Sequence, residues 1–77
     1  MPTIFTIFGF RFMIRTNDHE PIHVHVVKDG HSAKISVEPI EVVENVGFEK
    51  QEVAMMKTIV EENERVIIER WHEIFDK

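Results

Sequence analysis

Histidine is concentrated in one short stretch of this chain. Three of its five histidines lie in DHEPIHVHV, which runs from Asp18 to Val26. His23 and His25 are two positions apart, so on a β-strand both imidazoles point to the same side, with their Cα atoms about 7 Å apart. Imidazole exchanges a proton near neutral pH and also binds metal ions. The spacing is therefore compatible with an acid/base pair, a metal site or the polar face of a strand.

The preferred hypothesis is an acid/base pair that acts on an anion. In it, His23 and His25 are the catalytic residues of a metal-independent, ribonuclease-type phosphodiesterase that needs no cofactor. Arginine and lysine hold a phosphate or stabilise developing negative charge, and a lysine opposite His25 favours the neutral imidazole. The residues expected to bind such a substrate are Arg11, Arg15, Lys34, Asp18 and His19.

Two alternatives remain open. In the first, His19, His23 and His25 bind a divalent metal such as zinc, and Asp18 or Glu20 adds a carboxylate. The nearby arginines and lysine argue against it, because cations repel a metal dication. In the second, the histidines are only the polar residues that a one-sided sheet requires.

β-Strands are expected to position these side chains. Apolar and polar residues alternate from Phe10 to Arg15 and again from Ile22 to Val27, which is the period of a half-buried strand. The pair Asp29-Gly30 is typical of a two-residue type I′ hairpin turn. That turn predicts that His25 faces Lys34 and that apolar residues of the two strands face each other.

The remaining elements are predicted less directly. Short strands are expected at residues 4–8 and 40–43, with a bulge at Gly9. From Phe48 the apolar period is helical, but one helix to Asp76 would be roughly 43 Å long, whereas a domain of this size is about 30 Å across. Two helices are therefore expected, with Asn63 as the N-cap of the second.

These elements predict one α+β domain over residues 1–77. We expect a small antiparallel sheet of three to four strands within residues 1–44, then two C-terminal helices within residues 48–77, packed on one face of the sheet. The other face is left to solvent or to a partner. It holds Arg11, Arg15, His23, His25 and Lys34.

Charge and composition restrict the classes of function. The net charge of -5 is uneven, because residues 1–37 carry +1 and residues 38–77 carry -6. An acidic chain argues against tight, salt-driven wrapping of nucleic acid, although a local basic face can still meet one phosphate. The chain has no cysteine and no apolar run long enough to span a membrane, so we expect a cytoplasmic protein without a membrane partner.

Several motifs carry a family resemblance. The run Asp-His-x-Pro-x-His-x-His at residues 18–25, the starting MPTI, the pair Phe8-Gly9 and the helical tail near Trp71 resemble a bacterial family of domains of unknown function, DUF4160. The resemblance covers nearly the whole chain. Ile22 stands where that family usually has a second proline, and Val24 where it usually has an aromatic residue.

The resemblance implies a context rather than a reaction, because the family has no established activity. Its members are typically small proteins encoded next to another small protein, and such pairs resemble toxin–antitoxin modules. It therefore implies a cognate small protein as one partner and RNA as another. The alternative is a noncatalytic interaction module, a homodimer among the options, in which the histidine face or the sheet edge binds the partner.

Overall fold

The computed structural model describes residues 3–15, 17–19 and 21–76. The α+β class is confirmed. The expected number of three to four strands was too low. The segments predicted at residues 4–8 and 40–43 both join the sheet, which therefore has five strands. In chain order the elements are β1 (Thr3–Ile7), β2 (Phe10–Met13), β3 (His23–Lys28), β4 (His31–Val37), β5 (Ile40–Val46), α1 (Lys50–Glu62) and α2 (Glu64–Phe75).

The sheet is an antiparallel meander in the order β1-β2-β3-β4-β5. The predicted β3–β4 register is confirmed, with His25 opposite Lys34 and Val24 opposite Ile35. Asp29 and Gly30 have φ angles of 50° and 80°, as a type I′ turn requires. Strand β3 therefore presents Val24 and Val26 to one side and His23 and His25 to the other.

Gly9 lies in a turn, not in the bulge expected from the sequence. Ile7 pairs with Phe10, so Phe8 and Gly9 are the two residues that connect β1 to β2. Both have positive φ angles, 52° and 81°. The pair is thus a second tight hairpin, in which glycine occupies one left-handed position without steric cost.

The break between the helices falls at Asn63, as predicted, but the hydrogen bonding differs from the prediction. The side chain of Asn63 does not cap α2. Its Nδ2 instead donates to the carbonyl of Ile59, 2.8 Å away, and so satisfies an acceptor at the end of α1. The carbonyl of Asn63 then accepts the hydrogen bond from Ile67 N–H.

The core is a single cluster to which both helices and the sheet contribute. Trp71 is 1% exposed and joins this cluster from α2, whereas Met56, Ile59 and Val60 join it from α1. The other buried members of the cluster are Phe10, Phe12, Ile14, Ile22, Val24, Val26, Ala33, Ile35, Val37, Phe48 and Ile67.

No helix in the described part of the chain is long and apolar enough to cross a membrane.

Candidate functional site

Strand β3 places the imidazoles of His23 and His25 side by side. Their ring centroids are 5.1 Å apart and the rings meet edge to face. The alternation along the strand causes this arrangement, because the intervening Val24 is buried in the core. The two side chains predicted as a pair are thus brought together.

A tight turn before β3 brings Asp18 to the same place. The backbone N–H of Asp18 donates to the carbonyl of Arg15 at 3.0 Å, and the N–H of Arg15 donates to Oδ2 of Asp18 at 2.9 Å. These two bonds hold the carboxylate against the histidines. Its oxygens both lie 3.2 Å from Nε2 of His25, and Oδ1 lies 3.4 Å from Nε2 of His23.

The orientation of His23 is fixed by its other ring nitrogen. Nδ1 lies 2.8 Å from the carbonyl oxygen of Pro21, and a carbonyl only accepts, so Nδ1 carries a proton. In the neutral ring Nε2 is then an unprotonated acceptor. That atom is buried, has no hydrogen-bond partner among the described residues and lies near Asp18. In that form, two hydrogen-bond acceptors, Nε2 of His23 and Oδ1 of Asp18, therefore lie next to each other.

The burial of His23 differs from what its position in the sequence suggests. It was expected on the face left to solvent, yet it is only 6% exposed. The ring of Trp71 lies 5.4 Å from its own, centroid to centroid, and so connects α2 to the site. Nothing in the alternation of β3 signals this contact, because it depends on where α2 docks.

Burial and local hydrogen bonds set the ionisation of the cluster. Burial is the largest influence on Asp18 and raises its pKa. The Arg15 N–H, His25 and the charge of His23 outweigh burial, so the pKa lies below its ordinary value of 3.8. Burial also lowers the pKa of His25 from its ordinary 6.5, against the opposing effect of Asp18. Near neutral pH the cluster thus holds a carboxylate and a neutral imidazole, the forms that bind metal ions.

A depression of about 330 Å³ opens beside the cluster. Lys34 reaches it from β4, where it pairs with His25, and the exposed His19 reaches it from the loop before β3. Its lining residues are Asp18, His19, Pro21, His23, Lys34, Ser36 and Val43.

The other predicted site residues lie at different distances from the cluster. Arg15 is half-buried and near enough to lower the pKa of His25 by its charge. Arg11 is exposed and pairs with Val27, two positions along the sheet from the pairing of Met13 with His25. The predicted metal ligand Glu20 lies outside the described residues. Arg15 thus belongs to the site, and Arg11 lies further along the same face.

Three lining residues, Pro21, Ser36 and Val43, were not identified as site residues from the sequence. The predicted hairpin register already placed Ser36 opposite His23, so a signal for it was present. Val43 lies at a register shift in β5, between Val42 opposite Ile35 and Glu44 opposite Lys34. A bulge of this kind reverses the side to which later residues point, and the sequence carries no clear mark of it.

Comparison with known families identifies the chain. The family model described as a domain of unknown function, DUF4160, matches residues 9–72. The protein belongs to the DUF4160 family. The match spans the site from Asp18 through Lys34 and includes Trp71. Comparison with curated proteins and with solved structures gives no match.

Proposed function

We propose that this DUF4160 protein binds a divalent metal ion, with zinc as the best fit, through Asp18, His23 and His25. Three protein ligands leave at least one coordination position open, which is typical of catalytic rather than structural zinc sites. Two of the three ligands, Asp18 and His23, line the depression beside the cluster. The donor set of two imidazoles and one carboxylate also suits other first-row metals.

The spacing of the ligand atoms carries the proposal. One ligand atom from each residue lies within 4.8 Å of the others. A tetrahedral zinc ion with ligands at about 2.0–2.2 Å holds neighbouring ligand atoms roughly 3.3–3.6 Å apart. The distances from Asp18 to the Nε2 atoms of His25 and His23, 3.2 and 3.4 Å, are close to this range. They are long for charge-assisted N–H···O hydrogen bonds, which are about 2.7–2.9 Å.

The surroundings of the ligands support the same proposal. Metal-binding histidines almost always donate their second ring N–H to a carbonyl or carboxylate, as His23 does to Pro21. A cation bound between Nε2 of His23 and Oδ1 of Asp18 also removes the unfavourable meeting of two acceptors. The Arg15 N–H occupies Oδ2 of Asp18 and leaves Oδ1 for the metal.

The metal hypothesis fits His23 better than the acid/base hypothesis does. In His23 one ring nitrogen is bound to the Pro21 carbonyl and the other is buried. Such a side chain is poorly placed to exchange a proton with a substrate in the depression. The metal-independent ribonuclease activity, the RNA and toxin–antitoxin-like roles and the dimerising-module alternative all stay predictions.

Titration calorimetry with zinc chloride tests the proposal directly. Protein without a purification tag is expected to bind one zinc ion per chain at pH 7.5. Asp18→Asn removes the charged ligand, and His25→Gln removes one imidazole. Each is expected to weaken binding by at least about 100-fold, beyond the 10- to 100-fold typical of outer-shell changes.

The matched control is His72→Gln, which removes an exposed histidine of α2 outside the cluster. It is expected to bind zinc like the unmodified chain. Absence of zinc binding, or equal affinity in Asp18→Asn and His72→Gln, contradicts the proposed site.

A further inference from the structure

We propose that the depression beside this cluster binds the phosphate group of a phosphate monoester, with one phosphate oxygen on the metal and another on the ammonium of Lys34. This inference rests on the proposed metal site. The inference goes beyond the metal proposal because it names the class of ligand that completes the open coordination position.

The charge of the site favours a multiply charged anion. A zinc dication, Lys34 and Arg15 together carry +4, and Asp18 offsets only one of these charges. Neither Lys34 nor Arg15 takes part in an ion pair among the described residues. The ion pairs found there join Asp18 to His23 and to His25, Arg70 to Glu73, and His72 to Asp76. A phosphate dianion offsets more of this excess than a monocarboxylate does.

Two features near Lys34 define what remains available to a ligand. Glu44 faces Lys34 across the β4–β5 pair, but the two side chains form no ion pair, so the ammonium is not occupied by this carboxylate. The hydroxyl of Ser36 donates to the carbonyl of Pro39 at 2.6 Å. The hydrogen-bond donors that line the depression are therefore Lys34 and His19.

Arg15 adds a second unsatisfied cation. Its Nε is buried and has no hydrogen-bond partner among the described residues. Arg15 does not line the depression, but its charge is close enough to act on His25. It therefore adds positive charge beside the site rather than a direct contact with the phosphate.

The depression has room for more than a phosphate group. Its volume of about 330 Å³ lies at the lower end of the range for small-molecule sites, about 300–1,000 Å³. Val43 forms an apolar part of the wall and is 57% exposed. This wall can contact the organic part of an ester, which free phosphate lacks.

Phosphorus NMR titration with uridine 5′-monophosphate tests the inference. The zinc-loaded protein, freed of excess zinc, is expected to shift and broaden the phosphorus signal, whereas the metal-free protein leaves it nearly unchanged. Acetate, a monoanion, is expected to compete at least about tenfold less well than inorganic phosphate, as the charge argument requires.

Lys34→Met separates this inference from the metal proposal. It removes the ammonium and keeps the length of the side chain. Zinc affinity is expected to be retained or to rise, because a neighbouring cation is removed, while nucleotide affinity falls at least about tenfold. Lys57→Met, on the exposed side of α1, is the matched control and is expected to change neither affinity.

The two failures are distinguishable. A chain that takes up no zinc before nucleotide is added contradicts the metal proposal. A chain that binds zinc but not the nucleotide, or a Lys34→Met variant that binds the nucleotide as tightly as the unmodified chain, overturns the phosphate inference alone. Acetate competition as strong as that of phosphate overturns it as well.

Discussion

At the scale of single residues, Asp18 determines what the histidine pair can do. Without a carboxylate, two imidazoles on one strand are a surface feature or an acid/base pair. With Asp18 between their Nε2 atoms at 3.2 and 3.4 Å, the three side chains have the spacing of a group that could hold a metal ion, which is the basis of the proposed site. The backbone N–H of Arg15 fixes that carboxylate, so the local turn is part of the site.

The stability of the metal-free protein is expected to fall as the pH is lowered from 7 to 5. Burial holds the pKa of folded His25 below its ordinary 6.5, so the unfolded chain binds more protons in the interval between the two values. The contribution of His25 to stability is therefore fully present above about pH 6.5 and is lost as the pH falls toward the pKa of His25 in the folded state. Asp18, whose pKa is also lowered, adds a further loss below about pH 4.

Thermal melting in the presence of a chelator measures this dependence. His25→Gln is expected to flatten the slope between pH 7 and 5, whereas His72→Gln keeps it. A metal-free protein whose melting temperature rises as the pH is lowered across this interval is inconsistent with a buried, neutral His25.

At the scale of elements, α2 supports the site through Trp71. This side chain is 1% exposed, and its ring lies 5.4 Å from that of His23 and 4.5 Å from that of Phe75. The helix therefore contributes to the core and to the packing of His23 at the same time.

Trp71→Ala is expected to lower the free energy of unfolding by about 3–5 kcal/mol, because it leaves a large cavity in the core. Urea unfolding measures this loss. Trp71→Phe keeps an aromatic ring and is expected to lose less stability and retain zinc binding. If Trp71→Ala unfolds at the same urea concentration as the unmodified chain, Trp71 is not a core residue.

The sequence predicted the elements of the site better than its chemistry. The Asp29-Gly30 turn and the alternation of β3 and β4 fix which residues face each other, so the pairing of His25 with Lys34 could be predicted. The position of Asp18 between two Nε2 atoms depends on a short loop, which no periodic pattern describes. The contact of Trp71 with His23 depends on helix docking, and only its burial was predictable.

At the scale of the whole molecule, the site is a local exception to the charge of the chain. The chain carries -5, yet near the cluster the side chains of Arg15 and Lys34 form no ion pair with a described carboxylate, and Asp18 pairs with the two histidines. Most of the acidic excess lies in residues 38–77, which form β5 and the two helices. An anion that is repelled by the molecule as a whole can still be held at the depression, where the positive charge is close.

In so small a domain, a bound metal of the proposed kind would contribute a large part of the stability. The radius of gyration is 11.5 Å, about the value of a compact domain of this length. So short a chain buries only a little over half of the surface of its unfolded form. Any ligand that binds only the folded state then changes the melting temperature measurably.

The most direct test is therefore the thermal melting of the tag-free protein with zinc and with a chelator. At free zinc of about 100 times the dissociation constant, the folded state is expected to gain roughly 2.7 kcal/mol. The melting temperature should rise by roughly 10–20 °C and fall back when the chelator is added. Asp18→Asn, with affinity about 100-fold weaker, should gain at most about 0.4 kcal/mol and so respond only slightly, whereas His72→Gln should respond like the unmodified chain. Identical melting of the unmodified protein with zinc and with chelator would contradict the three-residue metal site.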